Sequence, residues 1–394
     1  MKTEQELVCL FEKQFNEKPK YIFSAPGRTE LSGNHTDHQH GIVLAAAINL
    51  EIKGAVSLNN LNEIIIKSEG FDYFSVDLSD LEVKENEKGT TISLVRGIAK
   101  RIKDLGKEVV GFNAYIYSDV LQGSGLSSSA AFEVLIATII NNISNCDLNP
   151  VDLAKISQYS ENVYFGKPCG LMDQTASSVG NIVNIDFKDT ENPVINRIDF
   201  DFSNCGYKLC VIDCGANHAD LTEEYSAITK ELKKVCECFN CNYLREIDEN
   251  DFYNNFNSVR KIVGDRAMLR AIHVYEENKR VMKQVEALRN NDFELYLKLT
   301  NESGDSSWEY LQNVTASGNK EKQELALALA MCKKILNRKG ACRVHGGGFA
   351  GTLQAFVKNE DIDEFKKEIE KYFGKDSCHI LSIRKDGGIL EKEL

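Results

Sequence analysis

Residues 112–143 read FNAYIYSDVLQGSGLSSSAAFEVLIATIINNI. The first five alternate apolar and polar and predict a strand. Gly123-Ser124-Gly125-Leu126-Ser127-Ser128-Ser129 then forms a Gly/Ser loop, and AAFEVLIATIINNI (130–143) predicts a buried helix. Glycines let backbone turn tightly and approach a ligand. A helix N-terminus offers unpaired N–H groups and positive dipole, so phosphate is a natural occupant. The serines add hydroxyls for phosphate or a divalent cation. No Gly-Lys-Ser/Thr follows, so this is not a Walker A loop. The same loop also reads as a plain polar connection.

Outward from this unit, YIFS (21–24) predicts a strand ending in a turn at Ala25-Pro26-Gly27. IVLAAAINLEIKGAVSL (42–58) predicts a strand or strand pair, and 63–67 and 71–76 short strands. Leu94, Ile98, Ile102 and Leu105 share helical spacing. Asn149, Pro150 and Asp152 start a helix as N-cap, first residue and third residue, and Gly166 ends it. Beyond residue 206, strands are predicted at KLCVID (208–213), TLQAFV (352–357) and CHILSIR (378–384). Helices are predicted over 221–238, 265–288, 321–337 and 361–373. Strands and helices mix without regular alternation, which favours α+β over a doubly wound sheet. The expected division is 1–205 and 206–394.

The chain has 394 residues, 42% hydrophobic and 27% charged, the balance of an ordinary globular protein. Its net charge of −12 disfavours nucleic acid as a partner. No apolar run is long enough to span a bilayer, and the first fifteen residues mix both charges, so a cytoplasmic protein is expected. The 12 cysteines are scattered; the tightest group, Cys236, Cys238 and Cys241, lacks a second pair and reads as thiols on a helix rather than a zinc site.

Three further segments carry chemistry-bearing residues. The loop 28–41 holds Asn34, His35, Thr36, Asp37, His38 and His40, a density that suits either a metal or a hydroxyl-rich ligand. Gly166–Gln174 is a Gly/Pro-punctuated loop with one carboxylate, Asp173. Gly346-Gly347-Gly348-Phe349-Ala350-Gly351 reads as a close backbone approach or as a structural turn.

Together these segments resemble one family. APGRTELSGNHTDHQHG (25–41) resembles the galactokinase signature, and QGSGLSSSAAFEV (122–134) the phosphate loop of the GHMP kinases. GKPCGLMDQ (166–174) and GACRVHGGGFAGT (340–352) resemble that family's two later motifs, in family order. The resemblance implies a two-domain α+β fold with the active site between the domains. It implies transfer of the γ-phosphoryl of Mg·ATP to the anomeric hydroxyl of galactose. By resemblance, Gly123, Ser124, Gly125, Leu126, Ser127, Ser128 and Ser129 would cradle the nucleotide, and Ser68 would touch it. Ser129 and Glu161 would hold Mg²⁺. Asp173 would be the base and Arg28 its partner. Asn34, His35, Thr36, Asp37 and Tyr225 would bind the sugar.

The sugar loop departs from the family. Galactokinases read Gly-Glu-His-Thr-Asp-Tyr-Asn where this chain has Gly33-Asn34-His35-Thr36-Asp37-His38-Gln39, and Ser226 to Lys230 lack the usual arginines. The neutral Asn34 resembles plant galacturonokinases, so galacturonate is the alternative substrate. A non-catalytic sugar sensor and a metallohydrolase on His35, His38 and His40 are the other readings; an intact phosphate loop and Asp173 stand against the sensor.

Overall fold

The structure is a computed structural model describing residues 2–121, 125–215, 221–316, 318, 321–349 and 351–394. The chain divides into two compact units, one comprising residues 1–28, 46–181 and 383–394, the other 29–45 and 182–382. This differs from the expected single cut at residue 205. Two long strands carry the chain from one unit into the other, and the C-terminal residues return to the first.

The first unit opens with helix α1 (Glu4–Phe15), followed by strands β1 (Tyr21–Ser32), β2 (Ile42–Leu58), β3 (Glu63–Ser68) and β4 (Phe74–Asp77). Helix α2 (Thr91–Asp104) leads to β5 (Phe112–Ser118), α3 (Ser128–Ile143), α4 (Pro150–Tyr159) and α5 (Met172–Val179). β1 continues through Pro26, where the sequence predicts a turn. A strand proline needs one side free of ladder bonds. The C-terminal strand that pairs with β1 provides that freedom, because its register with β1 ends at Ser24. Residues 42–58 form one strand, not two.

α3 lies over the sheet. Gly54 on β2 sits beneath Leu135 and Ile139, whose methyls would be 3.6 Å from a Cβ there. α1 packs Leu7 and Phe11 against Ile22, Ala55 and Tyr115. Each such buried side chain contributes about 1.5–3 kcal/mol. α4 begins as predicted, with an Asn149–Asp152 capping box and Pro150 first. It then widens into a π-helical turn, Ser160–Phe165, closed by Gly166 at φ 84°.

The second unit contains the hairpin β6 (Ile182–Asp186) and β7 (Val194–Ile198), strand β8 (Tyr207–Asp213) and helices α6 (Thr222–Glu237), α7 (Glu249–Asn254), α8 (Phe256–Val263), α9 (Asp265–Arg289), α10 (Phe293–Ser306) and α11 (Glu324–Leu336). Strands β9 (Ala341–His345) and β10 (Thr352–Lys358), helix α12 (Ile362–Phe373) and strand β11 (Cys378–Leu381) follow. The antiparallel sheet runs β11-β8-β10-β9. Leu329 and Cys332 of α11 and Phe365 and Ile369 of α12 share a buried cluster with Ile212, Leu353 and Ala355 of that sheet. A second cluster joins Ile228, Leu232, Phe252, Val259, Met268 and Tyr275 of α6 to α9. The last strand, β12 (Ile389–Glu393), belongs to the first unit and pairs antiparallel with β1, Tyr21 opposite Glu393. Among the described residues, no helix is long and apolar enough to cross a membrane.

Candidate active site

In the first unit, Arg28 on β1 meets Asp173, the second residue of α5. Arg28 Nε donates to Oδ1 and Nη2 to Oδ2, each at 2.6 Å. Nη1 donates to the Gly125 carbonyl, and Ser127 Oγ donates to Asp173 Oδ2. Burial opposes ionisation of Asp173. The Arg28 cation, its hydrogen bonds and the Ser127 hydroxyl outweigh burial and hold the carboxyl below its ordinary value. The side chain still keeps 30% of its surface exposed, enough for a ligand to reach it. The sequence predicts a loop around Asp173; the structure places it in the first turn of a helix.

The phosphate loop closes on the same place. Gly123 and Ser124 lie outside the described residues. Gly125 and Leu126 lie beside Arg28, whose N–H donates to the Leu126 carbonyl at 3.1 Å. Gly27 permits this approach, since a Cβ there would come within 3.0 Å of that carbonyl oxygen. Ser127 precedes α3 with φ 54° and ψ 64°, a left-handed conformation that strains a non-glycine residue. Ser128 and Ser129 are the first residues of α3, where the N–H groups lack intrahelical acceptors. Both line a cavity of about 530 Å³ that also takes in Ser68, Ser118, Phe132 and Phe165. The structure therefore brings Ser68, at the end of β3, to the phosphate-loop serines.

Glu161 lies in the π-helical turn and is 4% exposed. Its Oε2 accepts from Gln174 Nε2 at 2.8 Å, and its Oε1 lies 3.3 Å from Lys167 Nζ. Gln174 Nε2 also donates to Glu133 Oε2 at 3.0 Å. Burial, and then the Glu161 charge, push the Glu133 carboxyl well above its ordinary value.

The sugar loop lies in the second unit. Asn34 is fully buried. Its Nδ2 donates to Glu30 Oε1 at 3.2 Å and to the Gly346 carbonyl at 2.5 Å, and its Oδ1 accepts from Asn313 Nδ2 at 2.7 Å. Glu30 is itself paired with Arg343 at 2.7 Å. His35, at φ 59°, sets Nε2 2.9 Å from the Gly347 carbonyl. Burial and the neighbouring His38 lower its pKa to about 4, so it is a neutral donor near pH 7. Thr36 Oγ1 lies 2.8 Å from the Gly33 and Ile42 carbonyls. Asp37 opens a short helical turn and accepts from the His38 N–H at 2.9 Å.

The second glycine cluster sits on these residues. A Cβ at Gly347 would lie 2.4 Å from the Tyr225 ring, and one at Gly348 2.1 Å from the Asn313 carbonyl. Tyr225 donates to the Gly348 carbonyl at 2.8 Å, and burial raises its pKa to about 12.

A family model described as the GHMP kinases N terminal domain matches residues 93–181, and one described as the galactokinase galactose-binding signature matches residues 10–58. The chain is 30% identical to the galactokinase of Clostridium acetobutylicum, over 91% of each. It is 29% identical to that of Glaesserella parasuis, over 93% of this chain and 92% of the other. The solved structure of Lactococcus lactis galactokinase complexed with galactose superposes with TM-score 0.83 at 23% identity, covering 98% of this chain and 99% of that one. The chain belongs to the galactokinase family.

This member of the GHMP kinase superfamily is a sugar kinase. Within each unit its motifs gather: Arg28, Ser127 and Asp173 in one, the sugar loop, Tyr225 and the glycine cluster in the other. The metal reading of the histidine loop does not hold. His35 turns to Gly347, and His40 stacks on Tyr243 with ring centroids 3.5 Å apart. No metal-holding group of three His, Cys, Asp or Glu occurs among the described residues. Asn34, which the resemblance assigns to the sugar, has its amide oxygen and nitrogen engaged by Asn313, Glu30 and Gly346. Sequence reasoning missed Glu133 and Gln174. The signal for Glu133 was available: an acid within an otherwise apolar helix, four residues after Ser129 and so on the same face.

Proposed function

We propose that this galactokinase-family chain transfers the γ-phosphoryl of ATP to the anomeric hydroxyl of galactose, giving galactose 1-phosphate and ADP. The observation that carries the reading is the Arg28 fork on an ionised, partly exposed Asp173, beside the N-terminus of α3. Phosphoryl transfer asks chiefly for positioning and charge stabilisation. Asp173 accepts the proton of the sugar O1, and Arg28 stabilises the alkoxide as it forms. The α3 N–H groups and Ser127 to Ser129 hold phosphates, while the 530 Å³ cavity with Ser68 takes the rest of the nucleotide. Asp37 and Tyr225 orient the sugar.

Mg²⁺ fits the residues present. Its hard-oxygen preference matches the Ser129 hydroxyl and Glu161 carboxylate, and Glu133 Oε1 is a buried carboxyl oxygen with no hydrogen-bond partner among the described residues. Ser129 and Glu161 would hold the ion, which neutralises phosphate charge. Galacturonate loses its main support, because the neutral Asn34 that suggested it is engaged by Glu30, Gly346 and Asn313. The test is ADP release with Mg·ATP across galactose, galacturonate, N-acetylgalactosamine, glucose and arabinose. Galactose is expected to give the highest kcat/KM, and no ADP release with galactose overturns the reading.

A further inference from the structure

We propose that Glu133 is a positioning residue: acting through Gln174, it fixes the Glu161 carboxylate and the first turn of α5 that carries Asp173. This rests on the Mg·ATP reading above. Gln174 Nε2 donates to two acids, Glu133 Oε2 at 3.0 Å and Glu161 Oε2 at 2.8 Å, and also lies 3.7 Å from Cys169 Sγ. The amide is thus a strut between two carboxylates on different elements, α3 and the π-helical turn. Its own backbone is the peptide next to Asp173.

The location of Glu133 argues against a packing role. It is 0% exposed in a helix whose adjoining positions 132 and 134–136 are apolar and buried, and its Oε1 has no hydrogen-bond partner among the described residues. An apolar residue of similar volume would serve packing better, since an acid buried with so little compensation destabilises a fold. Such an acid finds its use in holding Gln174. Removing Glu133 frees Gln174 to rotate away from Glu161, leaving that carboxylate to Lys167 and the Cys169 thiol. Groups that orient a metal-binding side chain typically matter by about 10–100-fold in metal affinity or activity.

The test compares Glu133→Leu, Glu133→Gln, Gln174→Met and the Glu133→Leu/Gln174→Met double variant with wild type. Mn²⁺ binding in the presence of ADP is followed by electron paramagnetic resonance, beside kcat, galactose KM and thermal midpoint. The Leu and Met variants are expected to weaken Mn²⁺ binding about 10-fold and lower kcat by a similar factor. Galactose KM should stay within about 2-fold. Glu133→Gln keeps an acceptor for Gln174 and should recover most of the loss. The double variant should be no worse than either single one, because the two residues act as a unit. Wild-type Mn²⁺ affinity and kcat in a folded Glu133→Leu, or additive losses in the double variant, overturn the proposal. Should Glu133→Leu fail to fold, Gln174→Met decides in the same terms. Absent Mn²⁺ binding by wild type would instead count against the Mg·ATP reading.

Discussion

Arg28 grips Asp173 with two parallel N–H···O bonds of 2.6 Å, so the carboxylate proposed as the base is fixed in direction as well as in charge. Losing a catalytic base typically costs about 10²–10⁴-fold in rate. Asp173→Asn is therefore expected to lose kcat by that range while keeping nucleotide binding, as read by calorimetry. Arg28→Lys cannot reproduce the fork, and it should lower kcat rather than act as a conservative change.

The depressed Asp173 pKa has a stability consequence. A carboxyl with a folded pKa below its unfolded one stabilises the fold above the unfolded pKa, and that contribution vanishes as pH falls through the folded pKa. Wild type should thus lose its ion-pair stabilisation only below the usual carboxylate range. The difference in unfolding free energy between wild type and Asp173→Asn should be level from pH 6 to 8 and shrink below about pH 4. A difference that changes between pH 6 and 8 contradicts the assignment.

Ser127 combines a left-handed backbone with a hydroxyl on Asp173. Ser127→Gly accepts the backbone but deletes the hydroxyl, so kcat should fall while the thermal midpoint holds. Ser127→Val, β-branched at positive φ, should cost roughly 1–2 kcal/mol in urea unfolding.

Asn34→Glu, which family resemblance alone would read as a specificity change, brings a second carboxylate to within reach of buried Glu30. An uncompensated buried charge costs about 3–5 kcal/mol, and chemical unfolding should show a loss of that order. Exchanging the pair, Glu30→Asn with Asn34→Glu, restores one donor to one acceptor and should recover part of it. Equal stability of the single and exchanged variants would show that the contact carries no weight.

Ser129→Ala should raise the KM for Mg·ATP more than that for galactose, since Ser129 stands at the α3 N-terminus on the 530 Å³ cavity proposed for the nucleotide. Steady-state kinetics with each substrate varied in turn decide this.

Features written in local sequence were readable, and those made by distant partners were not. Asn149, Pro150 and Asp152 carry their own capping chemistry, and the α4 start follows from three letters. The π-helical turn that bears Glu161 leaves no such mark, because it depends on packing against α2, where Ser160 Oγ donates to the Leu94 carbonyl. Asn34 looked available to a ligand because one of its partners, Asn313, lies 279 positions later. The glycines at 346–348 were legible only as either a close approach or a structural turn. What they approach, Tyr225 and Asn313, required the fold.

The pairing of β12 with β1 orders the life of the nascent chain. Residues 389–393, which complete the first unit beside Tyr21–Ser24, are synthesised after all of 182–382. During elongation β1 therefore waits with an unpaired edge while the second unit emerges, and an open strand edge is a template for unwanted pairing. The first unit begins early and closes last. Folding yield should accordingly be more sensitive to truncation at the final strand than the small size of that strand suggests.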